Sequence, residues 1–468
     1  MPVDTSFLGA RSVIWIDAEL HLLFAAFILG APIFIVLMEY LGVRTKDQRY
    51  ERLAKETMKV VAIGYGVTAI LGALLTFTLL GPYQEFSSYL FVRFYEIFRL
   101  YGILILLESL TMYLYWYTWE PLADRKRLHI GIGIALNVLG TLVMLLINGI
   151  ASFMLTPPVA MVAGETVSTW AMIFNPSFTG LNLHRFIANI TFGGFMVAFF
   201  AAFMYLTSKK EEDRAFYDWM GFMGNFIGVG TLLLLPVAGY IYSKELFLYD
   251  AAISTLLMAD KLSWFFEFQG FLVSLLFLGA NYYMWLGIQR IEGGARFINY
   301  MKVNLVIIFV GTIIWVTPQN FLPDLATKLP EGVNILDIVI PEGPAFIGMM
   351  MAKALAITGI IIVTFITYLL YRRAIATGSV VWGRIDLKAQ YVLIFIPAVA
   401  VYLMAFMGAV RELARDGWHV YRVIPDTTNY WYIPPLAHTA LMTGIVTLLF
   451  FALMSFIFVV GFKVGKTK

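Results

Sequence analysis

Cysteine is absent from the 468 residues, and charged residues make up only 13% of them. Without cysteine the chain has no disulfide, no thiolate nucleophile, no iron–sulfur ligand and no covalent attachment of a c-type haem. Any metal or haem must therefore be held by histidine, methionine or carboxylate side chains. The scarcity of charge excludes an ordinary soluble domain, in which about a quarter of the residues are charged.

Apolar residues, by contrast, make up 60% of the chain, and the mean hydropathy is +0.80. A chain this apolar cannot cover a globular surface with polar groups, so its solvent must be lipid. The net charge of +3 indicates no nucleic-acid partner. The composition predicts an all-α integral membrane protein embedded in the lipid bilayer.

Eleven apolar runs are long enough to cross a hydrocarbon core of roughly 30 Å. The first run begins near Val13 and carries Asp17, Glu19 and His21, so it is too long and too polar for the apolar core of a signal peptide. We therefore expect it to be retained as the first span. The predicted spans cover residues 12–41, 57–80, 90–118, 128–155, 183–207, 216–241, 258–288, 300–317, 346–371, 389–410 and 434–463.

Lysine and arginine are concentrated in alternate loops. Cytoplasmic loops carry the excess of these residues in membrane proteins. With an odd number of spans, the pattern predicts an N-terminus outside and a cytoplasmic C-terminus. No linker or internal repeat is evident, so residues 1–468 are predicted to form a single membrane domain. About 22 of the 33 basic residues lie on one side, in segments 44–59, 124–127, 209–214, 290–302 and 371–388 and in the C-terminal tail.

Ionisable side chains within the predicted spans are few. Such residues are costly in lipid and by default mark a pathway or a ligand site. Glu39 lies 18 residues after His21 on the same helical face, so the two could bound a polar track. Snorkelling of Glu39 to the interface is the alternative. The others are Glu108, His184, Lys353 and His438, with Glu96, Arg99 and Glu267 nearer the span ends.

Histidine and methionine are the available iron ligands. His184 precedes Gly193 and Gly194, which let a flat group or another helix approach closely, and interfacial hydrogen bonding is the alternative for this histidine. The methionine run 349–351 opens the ninth span. A thioether with an imidazole is an axial pair of low-spin haem, although methionine more often fills space. Lys353 should be paired with a carboxylate or a propionate.

The remaining histidines suggest structural roles. His129 lies in a basic loop at the inner end of the fourth span and is predicted to be interfacial. His419 follows Trp418 in an outside segment and is predicted to face solvent or a propionate. For His438, in the last span, a packed histidine and a replacement ligand both remain open. From the residues alone, a haem protein and a proton-coupled transporter are both open, although a transporter should show inverted repeats.

Taken in order, the motifs resemble subunit I of cytochrome bd-type quinol oxidases. His21 and the sequence LMEY at 37–40 are similar to the family's first helix, which carries a haem-ligating histidine and ends in a Met-Glu pair. Glu108 falls on a carboxylate of the family's proton path. The sequence INGIASFMLTP at 147–157 is similar to the family's Asn-Gly-Trp-Met-x-x-Pro ending of the fourth span.

The second half of the chain continues the resemblance. The sequence NPSFTGLNLHRF places His184 on the ligand of the low-spin haem b. Met351 falls on that haem's other axial ligand, with Met350 as the alternative. The sequence RELARDGWHVYRVIP resembles the family's Gly-Arg-Gln-Pro-Trp segment and places Arg415 and Trp418 on its Arg and Trp.

The resemblance covers residues 1–241 and 346–468, whereas residues 242–345 diverge. In the family this region is a hydrophilic loop that binds quinol. Here it contains two extra apparent spans, 258–288 and 300–317, and no position matches the quinol-contacting Lys and Glu. The electron donor is therefore left open between a quinol, a cytochrome c and another donor.

Two glutamates of the family pattern have no counterpart. The second glutamate of the third helix falls on or near Leu100. The glutamate that ligates the high-spin haem is expected at 402–405, where the sequence reads Tyr-Leu-Met-Ala. These departures favour a divergent relative, with a haem-poor structural paralogue of a catalytic subunit as the alternative.

The resemblance implies a haem-bearing subunit of a bd-type oxidase in the cytoplasmic membrane of a prokaryote. Such a subunit passes electrons through haem to reduce O₂ to water, with proton uptake from the cytoplasm. The implied cofactors are haem b and, near His21, a second haem of type b or d. Glu108 and Glu39 are the implied proton carriers. A second similar subunit is the implied partner, joined by small accessory membrane subunits or a cytochrome donor.

Overall fold

The computed structural model describes residues 10–258, 260–318, 321–322, 351–427 and 433–463. Within these residues, eleven helical segments are long and apolar enough to cross a membrane, which confirms the predicted all-α bundle of about eleven spans. The helices in chain order are α1 (Ala10–Thr45), α2 (Gln48–Leu80), α3 (Gln84–Arg93), α4 (Tyr95–Tyr117), α5 (Lys126–Leu155), α6 (Val159–Val162), α7 (Thr169–Ile173), α8 (Phe178–Thr207), α9 (Glu211–Leu232), α10 (Leu235–Tyr249), α11 (Ala251–Met258), α12 (Ser263–Gly287), α13 (Ile298–Val316), α14 (Met351–Thr377), α15 (Leu387–Leu413) and α16 (Leu436–Lys463).

The chain divides into two compact units. The first contains Met1–Val197 and Met404–Lys468, and the second contains Ala198–Leu403. Because the borders fall inside α8 and α15, each of these helices contributes residues to both units. Each unit has an interior cluster of its own, around Phe153 in the first and around Tyr283 in the second.

In the first unit, α1 lies in the interior and packs against α2, α5 and α16. Glycines also bring α1 and α8 together. A Cβ on Gly193 would lie 2.7 Å from the carbonyl carbon of Gly30, and a Cβ on Gly30 would overlap the backbone of Asn189. Small residues permit this close approach in membrane bundles. The close approach expected at Gly193 is therefore made by a helix.

A short turn sets α2 antiparallel to α1. The Asp47 carboxylate accepts the backbone N–H of Arg49 at 3.0 Å and caps the start of α2, where helical N–H groups otherwise have no partner. The hydrogen bonds and charge of Arg49 hold the pKa of Asp47 below its ordinary value. This turn brings His21 of α1 opposite Thr68 of α2.

Two predicted spans are each made of two helices. The predicted span 90–118 consists of α3 and α4, which are separated at the buried residue Phe94. The predicted span 216–241 consists of α9 and the beginning of α10, whose first turn contains Pro236. Proline lacks the N–H that a continuing helix would need. A hydropathy pattern does not register such breaks because the residues on both sides are apolar.

A β-hairpin follows α15. Its strands, β1 (Trp418–Val420) and β2 (Ile424–Pro425), are antiparallel, with Trp418 opposite Pro425. Gly417, which precedes β1, has φ of 90°, in the left-handed region that favours glycine. The backbone N–H of Tyr421 donates to the carbonyl oxygen of Met154 at 2.9 Å. This bond fixes the hairpin to the end of α5.

A buried ion pair joins α9 to the end of α12 in the second unit. Arg290 pairs with Asp218, and both side chains are fully buried. Arg290 Nη2 also donates to the hydroxyls of Tyr371 at 3.1 Å and Tyr283 at 3.4 Å. The other Asp218 oxygen accepts the backbone N–H of Gly383 at 2.9 Å. Since buried charges are tolerated only when they are paired and hydrogen-bonded, this network fixes the packing of α9, α12 and α14.

Large apolar side chains are exposed on the outer faces of the helices. Examples are Ile70 and Phe77 on α2 and Val306 and Phe309 on α13. A soluble monomer rarely exposes contiguous apolar surface on this scale. In a bilayer the same side chains contact lipid, which is the favourable solvent for them.

Candidate functional site

The ring of His21 lies against α2. Its Nδ1 is 3.2 Å from the carbonyl oxygen of Thr68. A Cβ on Gly72 would lie 2.8 Å from His21 Cε1, so the glycine leaves room for the ring. Because a carbonyl oxygen can only accept, we assign the proton of the neutral ring to Nδ1 and the lone pair to Nε2. This tautomer, held by a backbone carbonyl, is typical of histidines that ligate a metal.

Asp17 lies one helical turn before His21 and faces the same helix. Its Oδ2 accepts the Thr78 hydroxyl at 3.1 Å, and the side chain is buried. The i, i+4 spacing of the two residues is the sequence signal that could have paired them.

Glu39 is the centre of a buried cluster at the other end of α1. Glu39 Oε2 accepts the hydroxyl of Tyr115 at 2.7 Å, and Oε1 lies 2.6 Å from Nδ1 of His129. His129 Nε2 lies 2.8 Å from the carbonyl oxygen of Tyr115. Because that carbonyl can only accept, Nε2 carries a proton. A second proton must then lie between His129 and Glu39, on one or the other, so the pair shares one exchangeable proton.

Burial of this cluster corrects one expectation. Glu39 is 1% exposed, so the snorkelling alternative is wrong. His129, in the first turn of α5, is 0% exposed as well, and its interfacial position stays a prediction. The burial of His129 comes from aromatic packing, since Tyr115 stacks on the imidazole at 4.4 Å and Trp119 packs edge-on at 4.8 Å between ring centroids.

Charged residues connect the cluster to the surface. Lys126 Nζ lies 3.8 Å from Glu39 Oε1, and the same ammonium pairs with Glu51, whose side chain is 43% exposed. Nearby, Lys55 pairs with the exposed residue Glu120. The cluster therefore lies one ion pair away from the solvent on the side predicted to be cytoplasmic.

Glu108 lies deeper on α4, two turns before Tyr115 on the same helical face. The side chain is 6% exposed. A Cβ on Gly140 of α5 would lie 2.8 Å from Glu108 Oε1 and 2.9 Å from Leu29 of α1. Gly140 thus makes the space in which the carboxylate sits between three helices.

Two of the sequence motifs, INGIASFMLTP at the end of α5 and NPSFTGLNLHRF at the start of α8, pack against each other. Asn148 Nδ2 donates to Asn182 Oδ1 at 3.0 Å, and Arg185 Nη1 donates to Asn148 Oδ1 at 2.8 Å. Asn175 Nδ2 donates to the carbonyl oxygen of Gly149 at 3.0 Å. These buried amides join the end of α5 to the start of α8. Sequence reasoning missed them because it treated each motif by itself.

The two residues predicted to ligate the low-spin haem, His184 and Met351, belong to different units. His184 lies on α8 in the first unit, and Met351 is the first residue of α14 in the second. Their joint ligation of one iron stays a prediction. Met350 lies outside the described residues. Lys353 forms a buried ion pair with Glu267 of α12, so of the two expected partners, carboxylate and propionate, the structure contains a carboxylate.

Arg415 lies between α15 and the hairpin and is buried. It pairs with Glu412, and its Nη1 donates to the carbonyl oxygen of His419 at 2.8 Å and lies 3.3 Å from Met154 Sδ. Burial and the neighbouring charge of Arg411 lower the pKa of Arg415 to about 9. The guanidinium therefore stays charged at neutral pH, with Glu412 as its counter-ion.

Trp418 lies in β1 and is half-buried. The next residue, His419, stacks on Phe86 at 4.5 Å and meets Tyr83 edge-on at 5.1 Å between ring centroids. Its Nε2 is 3.4 Å from Asp426 Oδ1. Burial lowers the pKa of His419, against the opposing effect of Asp426. The ring packs between the hairpin and the aromatic rings of Tyr83 and Phe86, so the solvent-facing alternative is wrong.

Two carboxylates that sequence reasoning passed over lie close to these positions. Glu412 is one helical turn before Arg415, beyond the segment 402–405 in which a carboxylate was expected. Glu19, on α1, faces Gly408 of α15, where an added Cβ would overlap its carboxylate. The spacing Glu-x-x-Arg at the end of an apolar run was the available signal for Glu412.

These features are those of a helical membrane protein in which a part-buried histidine, held through Nδ1, and a buried carboxylate–histidine pair lie on or against the first helix. Residues 10–253 match the sequence model of the family described as cytochrome bd terminal oxidase subunit I. The match covers slightly more than half of the chain and includes His21, Glu39, Glu108 and His184. The chain belongs to the cytochrome bd terminal oxidase subunit I family.

A relative and a solved structure add to this result. The "Putative cytochrome bd menaquinol oxidase subunit I" of Bacillus subtilis (strain 168) is 27% identical over 248 residues, which are 52% of this chain and 55% of the relative. The alignment thus spans about half of that protein. A chain from the structure of bd oxidase from Geobacillus thermodenitrificans has a TM-score of 0.62 at 14% identity, covering 99% of both chains. At this identity the likeness establishes the fold alone.

Proposed function

We propose that this chain is the haem-bearing subunit of a bd-type oxidase, in which electrons pass through haem to reduce O₂ to water. The observation that carries the proposal is the bond between His21 Nδ1 and the Thr68 carbonyl, which leaves Nε2 as the ligating atom. When bound, haem supplies the electron transfer and the O₂ chemistry. The cofactors are haem b and a second haem of type b or d near His21.

The side chains fit haem chemically. Imidazole and thioether groups are known axial ligands of haem iron, and His21, His184 and Met351 would supply them. Arg415 and Trp418 would contact the haem periphery. The carboxylate expected for the second haem is best supplied by Glu412, which lies one turn before Arg415.

Proton supply is assigned to the Glu39 cluster and Glu108. Since Glu39 and His129 share one exchangeable proton, the pair accepts a proton from one side and releases it to the other. In the predicted orientation, Lys126 and Glu51 face the cytoplasm and Glu108 lies deeper in the membrane. Buried carboxylates of this kind are typical of proton paths.

The proposed location is the cytoplasmic membrane of a prokaryote. The proposed partner is a second similar subunit, with small accessory membrane subunits or a cytochrome donor. The Bacillus relative is named for menaquinol. A quinol and a cytochrome c are the two donors to compare, by supplying each in reduced form and following reduction of the haem.

The test is a reduced-minus-oxidised absorption spectrum of the purified complex, with pyridine haemochrome quantitation. We expect a low-spin haem b signal and a second haem that responds to CO. His184→Ala should remove the low-spin signal and leave the second haem, because it deletes one axial ligand. His438→Gln, which changes a half-buried histidine of α16, decides between the two roles left open for that residue: a packed histidine keeps both signals, and a replacement ligand does not.

Two outcomes would contradict the proposal at different levels. An intact low-spin spectrum in His184→Ala would refute this ligand assignment. A purified complex without haem would refute the oxidase function of this chain, leaving a structural paralogue or a transporter.

A further inference from the structure

One buried side chain of α5, Asn148, is hydrogen-bonded to α8 at two positions, and none of the electron or proton steps above uses it. Its Nδ2 donates to Asn182 Oδ1 at 3.0 Å, and its Oδ1 accepts Nη1 of Arg185 at 2.8 Å. Because a guanidinium can only donate, the oxygen of the Asn148 amide must face Arg185 and the nitrogen must face Asn182. The amide therefore has a single orientation, in which both of its polar atoms hold α8.

The two residues that Asn148 holds lie on either side of the proposed iron ligand in the sequence. Asn182 and Arg185 are three residues apart on α8, so they share one face of the helix. His184 lies between them, displaced from Asn182 by about 200° and from Arg185 by about 100° around the helix axis. The imidazole therefore projects from a different side of α8 than the side that α5 holds.

The face of α8 that contains Asn182 is held at two further positions. Asn189 Nδ2 lies 3.4 Å from Met144 Sδ of α5. One turn later, Gly193 meets α1, where an added Cβ would lie 2.7 Å from the carbonyl carbon of Gly30. Asn189 and Gly193 come seven and eleven residues after Asn182, which is the spacing of a single helical face. Contacts along one face oppose rotation of α8 about its own axis.

We infer that Asn148 is a positioning residue for the low-spin haem, because it fixes the rotation of α8 and with it the direction of the His184 ring. The inference rests on the proposed function, in which His184 ligates that haem. A metal ligand must be held within about 0.5 Å and 10–20° of its bonding geometry. A helix with its side chains has a radius of about 5–6 Å, so a rotation of about 10° moves a side-chain end by about 1 Å. A small rotation of α8 is thus enough to misplace the ligand.

Two substitutions of Asn148 should have graded effects on the low-spin haem. Asn148→Leu keeps a similar volume and removes both bonds to α8. It should raise the fraction of the low-spin haem that binds CO by about tenfold, at the low end for loss of a residue that orients a metal ligand. Asn148→Asp keeps an acceptor for Arg185 and loses only the donor to Asn182, so it should have the smaller effect.

The experiment is a CO difference spectrum of the reduced, purified complex, followed at the absorption of the low-spin haem. A haem with two axial ligands has no open position for CO, so CO binding reports a displaced ligand. Haem content is measured by pyridine haemochrome for each variant. Asn137→Leu is the matched control, because Asn137 is also on α5 but its Nδ2 donates to the carbonyl oxygen of Pro32 on α1, at 3.3 Å.

The outcomes separate this inference from the proposed function. CO binding by the low-spin haem in Asn148→Leu, with Asn137→Leu as in the wild type and Asn148→Asp between them, would support the inference. Loss of the low-spin haem from Asn148→Leu alone, with the second haem retained, would also support it. A wild-type response in Asn148→Leu, or an equal response in Asn137→Leu, would overturn it and leave the oxidase function in place.

A second variant keeps the test decisive if Asn148→Leu does not yield folded protein. In that case Asn148→Asp is compared with Asn137→Leu by the same two measurements, and the same outcomes decide. A wild-type complex without haem would instead refute the proposed function itself.

Discussion

At the scale of single residues, His21 and His129 show how hydrogen-bond partners decide which chemistry a histidine side chain is suited to. His21 Nδ1 faces the carbonyl of Thr68, which directs the lone pair of the neutral ring to Nε2. Both nitrogens of His129 face oxygen atoms, one of them on Glu39. The first arrangement suits a metal ligand, and the second suits proton exchange.

Replacing Glu39, which shares a proton with His129, should slow proton uptake. Glu39→Gln replaces a carboxylate that exchanges a proton with His129 by an amide that cannot take one up. We expect O₂ consumption by the complex to fall by roughly 10²-fold, which is at the low end for the loss of an acid–base group. The rate is measured with an oxygen electrode, and the haem spectrum should be unchanged.

A matched exposed glutamate controls for the charge itself. Glu96→Gln removes a carboxylate whose side chain is 72% exposed and should leave the rate as in the wild type. Glu108→Gln should behave like Glu39→Gln, since it lies on the same proposed path. A wild-type rate in Glu39→Gln, with haem content intact, would remove Glu39 from that path.

The side chains also show where prediction from sequence stops. Glu39 and Glu108 could be selected as buried carboxylates because a charge in the middle of an apolar run is unusual. The burial of His129 and His419 could not be predicted, because it depends on rings brought from other parts of the chain, such as Trp119 and Phe86. Such contacts leave no periodic signal near the histidine itself.

At the scale of helices, Gly72 of α2 makes the position of the His21 ring possible. Gly72→Ala would place a Cβ 2.8 Å from His21 Cε1, closer than real Cβ contacts come, so the ring must shift. We expect the CO-sensitive haem signal to weaken or change shape while the low-spin signal remains. The measurement is the CO difference spectrum of the reduced complex.

A second glycine of α2 serves as the control for that prediction. At Gly66, an added Cβ would meet no atom of another helix within 4 Å in the part of the chain that the structure describes. Gly66→Ala should therefore leave the CO difference spectrum unchanged, and alanine is the better helix former by about 1 kcal/mol. Equal spectra for the two variants would show that the Gly72 contact does not position the haem.

The helices themselves were predictable in number because twenty apolar residues are needed to span a bilayer. The residues at which the helices begin and end were harder to predict. The break at Phe94 and the restart near Pro236 lie within apolar sequence, where hydropathy stays high whether or not the backbone turns. The hairpin at Trp418 could not be predicted, because strands of two and three residues are too short to show an alternation of apolar and polar residues.

At the scale of the whole molecule, the absence of cysteine allows a direct test of orientation. Asp124 and Glu165 are exposed and lie in the loops before and after α5, so they face opposite sides of the membrane. A thiol introduced by Asp124→Cys should be labelled from the cytoplasmic side only. A thiol introduced by Glu165→Cys should be labelled from outside only. The measurement is labelling of intact cells with a membrane-impermeant maleimide.

The wild-type chain is the control, because it has no thiol to label. Labelling of Asp124→Cys, but not Glu165→Cys, in intact cells would reverse the predicted orientation. It would also place the Glu39 cluster on the outer side, which is incompatible with proton uptake from the cytoplasm.

Sequence and fold similarity cover the molecule unequally. The family model matches residues 10–253, whereas the structural likeness covers 99% of the chain. In residues 242–345, where the motifs of the resemblance could not be placed, apolar helices such as α12 and α13 still form. Apolar pattern and length suffice for a helix, but a ligand set needs particular residues at particular positions.

The buried pair in the second unit also constrains how the protein is made. Asp218 and Arg290 are 72 residues apart in the chain, and both are fully buried. At a synthesis rate of about 5–20 residues per second, Asp218 leaves the ribosome roughly 4–14 s before its partner. During that interval Asp218 lacks its buried partner. We therefore expect the buried packing of α9 to form only after Arg290, which follows α12, has been synthesised.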